Sequence, residues 1–374
     1  MKSASGSFMS VRRTRRTAVA GVAMLACLGL TLAGCAASST SAVSPASGKS
    51  ITLNLGGSQP LTWTPGQPLK VAFFAYGSST AWEVAMTKSA KETAAHLGID
   101  MTVFDSNENA QTQFNQMQTA LTSGKYNAWT FAPVDGSLIC SVVQQAATKG
   151  IAVINQQAGV CGKDGESGDA ARVPGLLSFV GGIGASASTW KAFTDYVSKD
   201  NPDPTTAVVL SGTAGVAQTI SSSDAIKALH TARPDFDVLG TYATDYSSQS
   251  GYNLTQQALQ QHPNVKVIIS IYSGITTGAR QAVKEAGLAG KVKIYDVGGD
   301  TEAVAAVRTG LQTMTVPQFP ATQVRTALET LDKLNKGQID GPVIKMNDGS
   351  TLGGPNGEPF FVTKSSAANF TAEY

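Results

Sequence analysis

Histidine and cysteine are scarce in this chain, and their scarcity removes whole classes of chemistry. The three histidines, His96, His230 and His262, lie far apart, and only four cysteines accompany them. A structural zinc site needs about four such ligands at short spacing, so no metal is expected. Lysine plus arginine exceed aspartate plus glutamate by two, but five positive charges and no acid fall in residues 1–34, leaving the rest near −3. A basic patch for nucleic acid is therefore missing. Long apolar runs are missing too, apart from Ala18–Leu32, and about fifteen residues is short for a bilayer span. There is no Walker loop, no EF-hand spacing and no G-x-S-x-G elbow. Nor does any nucleophile or base–acid pair stand out. Neither an enzyme nor a cofactor is expected.

What is present begins at the N-terminus. Lys2, Arg12, Arg13, Arg15 and Arg16 precede the apolar run, and Leu32-Ala33-Gly34-Cys35 follows it. A basic stretch, a short apolar stretch and small residues before a cut describe an export signal. With a cysteine at the cut, the segment resembles the bacterial lipoprotein signal. That resemblance implies removal of residues 1–34 and diacylation of Cys35. An ordinary signal peptide and a single membrane anchor are the alternatives. Residues 35–68 then form the lipidated cysteine, a Ser/Ala/Gly/Pro tether to about Ser50 and an extension to Gln67 expected to pack loosely. Cys27 would leave with the signal. In an export-facing protein Cys140 and Cys161 are a candidate disulfide; two buried thiols are the other reading.

From Leu69 onward short β-prone runs alternate with helical patterns. The first, Leu69–Tyr76, is followed by a helix over Glu83–Leu97, where Met86, Ala90, Ala94 and Leu97 share a face and Gly98 closes it. The beat continues to a helix over Ala321–Leu334 and loosens only between Gly159 and Leu176. Strands alternating with helices of ten to fifteen residues predict parallel sheets covered on both faces. The run is too long for one ordinary doubly wound sheet, so a second domain is expected soon after Val180. Ligands on such folds sit beyond the carboxyl ends of strands. Gly182-Ile-Gly184-Ala-Ser-Ala187 fits a relaxed dinucleotide fingerprint, but no ribose-binding acid follows, and a turn or hinge explains it better. The strand ends carry rings, hydroxyls and amides, a mixture suited to a neutral hydroxylated small molecule.

Several segments, taken in order, resemble bacterial periplasmic sugar-binding proteins of the ribose-binding type, which deliver solutes to ABC importers. They are Leu69-Lys-Val-Ala-Phe-Phe leading to Trp82, Phe104-Asp-Ser-Asn107, Ala132-Pro-Val-Asp135, Val297-Gly-Gly-Asp300, and Gly310-Leu-Gln-Thr-Met-Thr-Val316 with Gln318 and Pro320. The resemblance implies two doubly wound lobes joined by a three-segment hinge. Crossings near Gly184, Gln318 and Val343 would give one lobe of 69–183 with 319–343 and another of 184–318 with 344–374. It also implies a ligand set: Trp82 as a stacking ring, Tyr246 as a second aromatic, Gln318 at the crossing, with Gln157, Tyr272, Asp135 and Asp300 beside them. Charged groups of that family are replaced here: Gln157-Ala158 stand for an Asp-Arg pair, Ile220 for an arginine, Tyr272 for an asparagine and Gly298 for an aspartate.

The expectation is thus a lipid-anchored, monomeric solute-binding protein on the outer face of the cytoplasmic membrane. It would capture a small neutral sugar or polyol and pass it to permease and ATPase subunits in trans. A receptor that hands its bound form to a sensor or chemotaxis protein, and an NAD-binding enzyme of similar architecture, are the alternatives.

Overall fold

The computed structural model describes residues 48–345 and 361–374. Cys35 and the export signal lie outside the described residues, as does 346–360. An antiparallel hairpin comes first, β1 (Ile51–Leu53) and β2 (Leu61–Trp63). The alternation follows as β3 (Lys70–Ala75), α1 (Ala81–Leu97), β4 (Asp100–Asp105), α2 (Ala110–Ser123), β5 (Ala128–Phe131), α3 (Cys140–Thr148), β6 (Ala152–Gln156) and β7 (Ser178–Val180). After a turn come α4 (Ala187–Asp200), β8 (Thr205–Ser211), α5 (Ala217–Ala232), β9 (Phe236–Ala243), α6 (Ser248–Gln261), β10 (Val267–Ser270) and α7 (Ser273–Glu285). The chain continues through β11 (Lys293–Gly298), α8 (Thr301–Thr309), β12 (Met314–Pro317), α9 (Pro320–Asn335), β13 (Val343–Lys345) and β14 (Val362–Thr363).

These strands form two six-stranded sheets. The first runs β13-β7-β6-β5-β3-β4 and is parallel throughout. The second runs β14-β12-β11-β10-β8-β9 and is parallel except for the edge strand β14, which pairs antiparallel with β12. Pairing carries the first sheet to Lys345, opposite Val180 and two residues past the crossing expected at Val343. Alternation within β3 shows why the sheet is covered on both faces. Val71, Phe73 and Ala75 pack with α1 residues such as Met86 and Ala90, while Ala72 and Phe74 pack with Met117 of α2 and Val142 of α3. Side chains alternate across a strand, so a strand apolar at every position must be buried twice.

The helices begin and end where local chemistry dictates. Thr80 and Glu83 form a reciprocal capping box at the start of α1, and Gly98 ends it with φ 67°. Asn109 caps α2 through Thr112 N at 2.8 Å. Helix α3 starts at Cys140, after a turn that Asp135 Oδ1 holds by accepting from the amides of Ser137 and Leu138. Cys140 and Cys161 are joined in a disulfide with Cα atoms 4.9 Å apart.

The loose packing expected of residues 51–67 is not what is found. Leu53, Leu55, Leu61 and Trp63 are all buried in the main core. The backbone is tied as well: Gly175 N and Arg172 Nη1 donate to Leu55 O, and Trp63 Nε1 donates to Asn335 Oδ1. Glycine and proline in this stretch shape the hairpin, and its alternate apolar residues all point inward. The last two residues are tied in a comparable way. Glu373 Oε2 accepts from the amides of Ala321 and Thr322 at the start of α9, while Tyr374 Oη donates to Gly298 O after β11.

Candidate functional site

A cleft lies where the carboxyl ends of the two sheets converge. Each wall is a set of strand-end loops, as expected for open parallel sheets. The first sheet contributes Tyr76 after β3, Thr80, Trp82 and Glu83 at the start of α1, Pro133, Val134 and Gly136 after β5, and Gln157 after β6. The second contributes Gly215 to Gln218 after β8, Tyr246 after β9 and Tyr272 after β10. Gln318, leaving β12, and Ala185, leaving the first sheet, close the bottom.

Five of the seven expected ligand residues thus line one space: Trp82, Gln157, Tyr246, Tyr272 and Gln318. Gln157 and Tyr246 both hold left-handed backbone, φ 68° and 66°, a conformation costly for residues with a side chain. The Tyr246 and Tyr272 rings meet edge to face at 6.2 Å. Tyr272 is 7% exposed, and burial pushes its phenol up to about 12, with Thr80 and Trp82 opposing the shift. Burial also raises Tyr246, whose hydroxyl lies 3.5 Å from Thr219 Oγ1. Trp82 is 7% exposed and its Nε1–H has no acceptor among the described residues. A buried donor left unpaired costs on the order of 1–3 kcal/mol, so an acceptor brought by a ligand would be favoured there.

Asp135 and Asp300 stand apart from the lining. Asp135 is exposed and spent on the turn before α3. Asp300 is the N-cap of α8, accepting from Ala303 N at 2.7 Å. Ile220 is 44% exposed on α5, away from the cleft. Gly298 cannot be other than small: a Cβ there would fall 2.2 Å from Ser273 Oγ. The glycine-rich turn at 182–187 is a link between sheets rather than a phosphate cradle, because the amides of Ala185 and Ser186 donate to Gly182 O.

Three acids line the cleft that sequence reasoning did not single out: Glu83, Glu108 and Asp164. Glu83 is 3% exposed and accepts from the amides of Ser79 and Thr80 at 2.7 and 2.8 Å. Burial nonetheless raises its pKa, against the Thr80 hydrogen bond and with Glu108 adding to the rise. Asp164 is raised by burial and by Asp135. The capping signature Thr80-x-x-Glu83 was visible in the sequence but spoke of a helix start. Asp164 lies in the aperiodic stretch 159–176, which the disulfide draws in, with Cys161 N donating to Gly136 O. Among the described residues no group of three or more His, Cys, Asp or Glu side chains could hold a metal ion.

Two parallel-sheet lobes facing a cleft of rings, amides and hydroxyls define a two-lobed α/β binding protein. Residues 71–339 match the family model described as periplasmic binding protein domain, and the chain belongs to that family, in its ribose-binding type. It is 24% identical over 255 residues to the ribose import binding protein RbsB of Salmonella typhimurium, covering 68% of this chain and 81% of the relative. It is 24% identical over 277 residues to the D-allose-binding periplasmic protein of Escherichia coli, covering 72% and 84%. Among solved structures, the Caulobacter myo-inositol binding protein bound to myo-inositol aligns with a TM-score of 0.67 and 23% identity, over 81% of this chain and 96% of that one. A solute binding protein of an ABC transporter from Mycobacterium smegmatis with bound glycerol gives 0.64 and 25%, over 80% and 96%.

Proposed function

We propose that this protein is the capture subunit of an ABC importer, binding a small sugar or polyol without anionic groups and presenting it to a permease and ATPase in trans. The observation that carries this reading is the cleft itself. Rings from both sheets supply apolar faces for C–H groups, and Gln157, Gln318 and the phenols supply donors and acceptors for hydroxyls. Among the described residues no lysine, arginine or histidine lines the cleft, so a phosphate or carboxylate would lack a partner there. The names of the relatives, which bind or import ribose and D-allose, support the same class.

In this reading lobes 69–183 with 319–343 and 184–318 with 344–374 close on the ligand, turning near Gly184 and Gln318. A ligand between two lobes contacts both fully only when they close. Cys35 is the lipid anchor that holds the protein, as a monomer, at the outer face of the cytoplasmic membrane. The family offers no support for a role in hydride transfer, and the bonded turn at 182–187 argues against bound dinucleotide. Handing the liganded form to a sensor would use the same cleft and the same closure.

A thermal-shift screen of sugars, polyols and nucleosides tests the reading, because a ligand bound only by the folded state raises apparent stability. The stabilising compound should also shrink the protein in solution scattering. A hit confined to anionic compounds, or an unchanged scattering curve at saturation, would overturn it.

A further inference from the structure

The charge of the cleft is one-sided. Glu83, Glu108 and Asp164 line it, and among the described residues no cationic side chain does. None of the ion pairs found among the described residues includes any of these three acids. Glu83 and Glu108 converge on one group, the Ser79 hydroxyl, which lies 3.2 Å from Glu83 Oε2 and in short contact with Glu108 Oε1. A hydroxyl carries one proton and can donate it to only one of them. Their approach depends on Gly77: a Cβ there would fall 2.7 Å from Glu83 Oε1 and 2.9 Å from Glu108 Cγ. Two carboxylates at close range in a partly desolvated cleft repel each other, and a proton held by one of them or a positive group on a ligand relieves the repulsion. The rings of Tyr76, Trp82 and Tyr246 share the same space, and faces of this kind attract a cation. Trp82, on the same wall, carries a buried indole N–H that has no acceptor among the described residues.

We infer that the ligand is a polyhydroxy compound bearing an ammonium group, an amino sugar or amino-cyclitol, whose nitrogen is received by Glu83 and Glu108. The inference rests on the reading of this cleft as a sugar or polyol site and narrows its ligand class. The ammonium supplies the donors and the positive charge that the acids lack. The ligand's hydroxyls fall to Gln157 and Gln318, and one of its oxygens can accept from Trp82 Nε1.

Calorimetry on the purified protein with matched pairs tests this: glucosamine with glucose, galactosamine with galactose, mannosamine with mannose, and an amino-cyclitol with myo-inositol. In at least one pair the amino member should bind tenfold or more tighter than its hydroxyl partner. Glu108→Gln, at an exposed position, should abolish that preference while leaving the melting temperature unchanged. Gly77→Ala, which forces the two acids apart, should also reduce it. Neutral members binding as well as or better than their amino partners would overturn the inference and leave the sugar reading standing. Binding by no member of either kind would remove both. A preference for the amino member that survives Glu108→Gln would overturn the assignment of the nitrogen to this acid pair.

Discussion

Gln157 Nε2 donates to Gln318 Oε1 across 3.3 Å, although 161 residues separate them. Gly184 packs against both: a Cβ there would fall 3.0 Å from Gln318 Oε1 and 3.1 Å from Gln157 Nε2. One glutamine leaves a strand of the first sheet and the other leaves a strand of the second. Their amides therefore meet at the bottom of the cleft, where two of the expected crossings pass. A ligand hydroxyl can replace either half of this bond at little cost, since amides both donate and accept.

Trp82 is expected to dominate binding. Trp82→Ala removes a large ring from the centre of the contact and should cost about 2 kcal/mol or more, roughly thirtyfold in affinity. Gln318→Ala loses a neutral hydrogen bond and should cost nearer 1 kcal/mol. Calorimetry with the ligand found by screening measures both. Wild-type affinity in the two variants would show that the contacts are made elsewhere.

Tyr246 is held in the cleft by the absence of a neighbour's side chain. A Cβ at Gly212 would fall 2.1 Å from Tyr246 Oη and 2.8 Å from Ile271 Cδ1. Gly212→Ala should push the ring from its place and weaken binding about tenfold while the fold survives, because the ring borders open space. Tyr246→Phe should lose much less, as the ring stays. A Gly212→Ala protein binding like wild type would show that the ring contributes nothing to the contact.

The Cys140–Cys161 disulfide closes a loop of sequence separation 21 and holds the Asp164 segment against the cleft. In the chain-entropy model such a loop contributes about 3 kcal/mol. Replacing both cysteines by serine should lower stability to denaturant by about that much and weaken ligand binding as well. Equal midpoints for the two proteins in urea would contradict this.

Asp300 gives stability a definite pH dependence. Burial raises its carboxyl to about 6 in the folded state, partly opposed by the Ala303 amide, against an ordinary value of 3.8. Between about pH 4 and 6 the folded state then holds more protons than the unfolded state, so stability falls as pH rises through that window and levels off above it. Fully buried Asp296 is raised in the same direction, again by burial. Asp300→Asn keeps an oxygen to cap Ala303 N and removes the charge. It should raise stability at pH 7.5 by about 2 kcal/mol, measured by urea unfolding at pH 4 and 7.5. Equal loss at both pH values would mean the carboxylate is needed for reasons other than its charge.

Cys35→Ala should release the protein from the membrane fraction and leave the signal uncleaved or differently cleaved. A single acyl chain binds marginally, so stable anchoring needs two or more. Unchanged fractionation and intact mass would end the lipid reading.

The order of elements was legible because the central strands, such as β3, β5, β6 and β10, are buried at consecutive positions and several helices carry their own stop. Gly98 and Gly310 close α1 and α8 in left-handed conformation, φ 67° and 80°. The hairpin at 51–63 was not legible, since three-residue strands with one buried residue in two give too short a period to stand out among glycines and prolines. The site was half legible. Rings and amides at strand ends announced themselves, because such positions face a cleft in any open parallel sheet. Glu83 hid behind its capping role, and Glu108 behind the left-handed turn that aims it, φ 59°. Asp135 and Asp300, which the resemblance put beside the ligand, do not line the cleft: each accepts from backbone amides at the approach to the next helix.

If Cys35 carries the proposed lipid, the buried hairpin sets how far the body can stand from it. Were the body to begin at Leu69, the chain from Cys35 could pay out to about 120 Å when fully extended. With Leu53 and Trp63 locked into the core, an anchor at Cys35 would stand about 55 Å at most from Ile51. Confining an anchored protein to half the radius shrinks the volume it can explore by roughly tenfold and raises its local concentration at a neighbouring membrane complex to match.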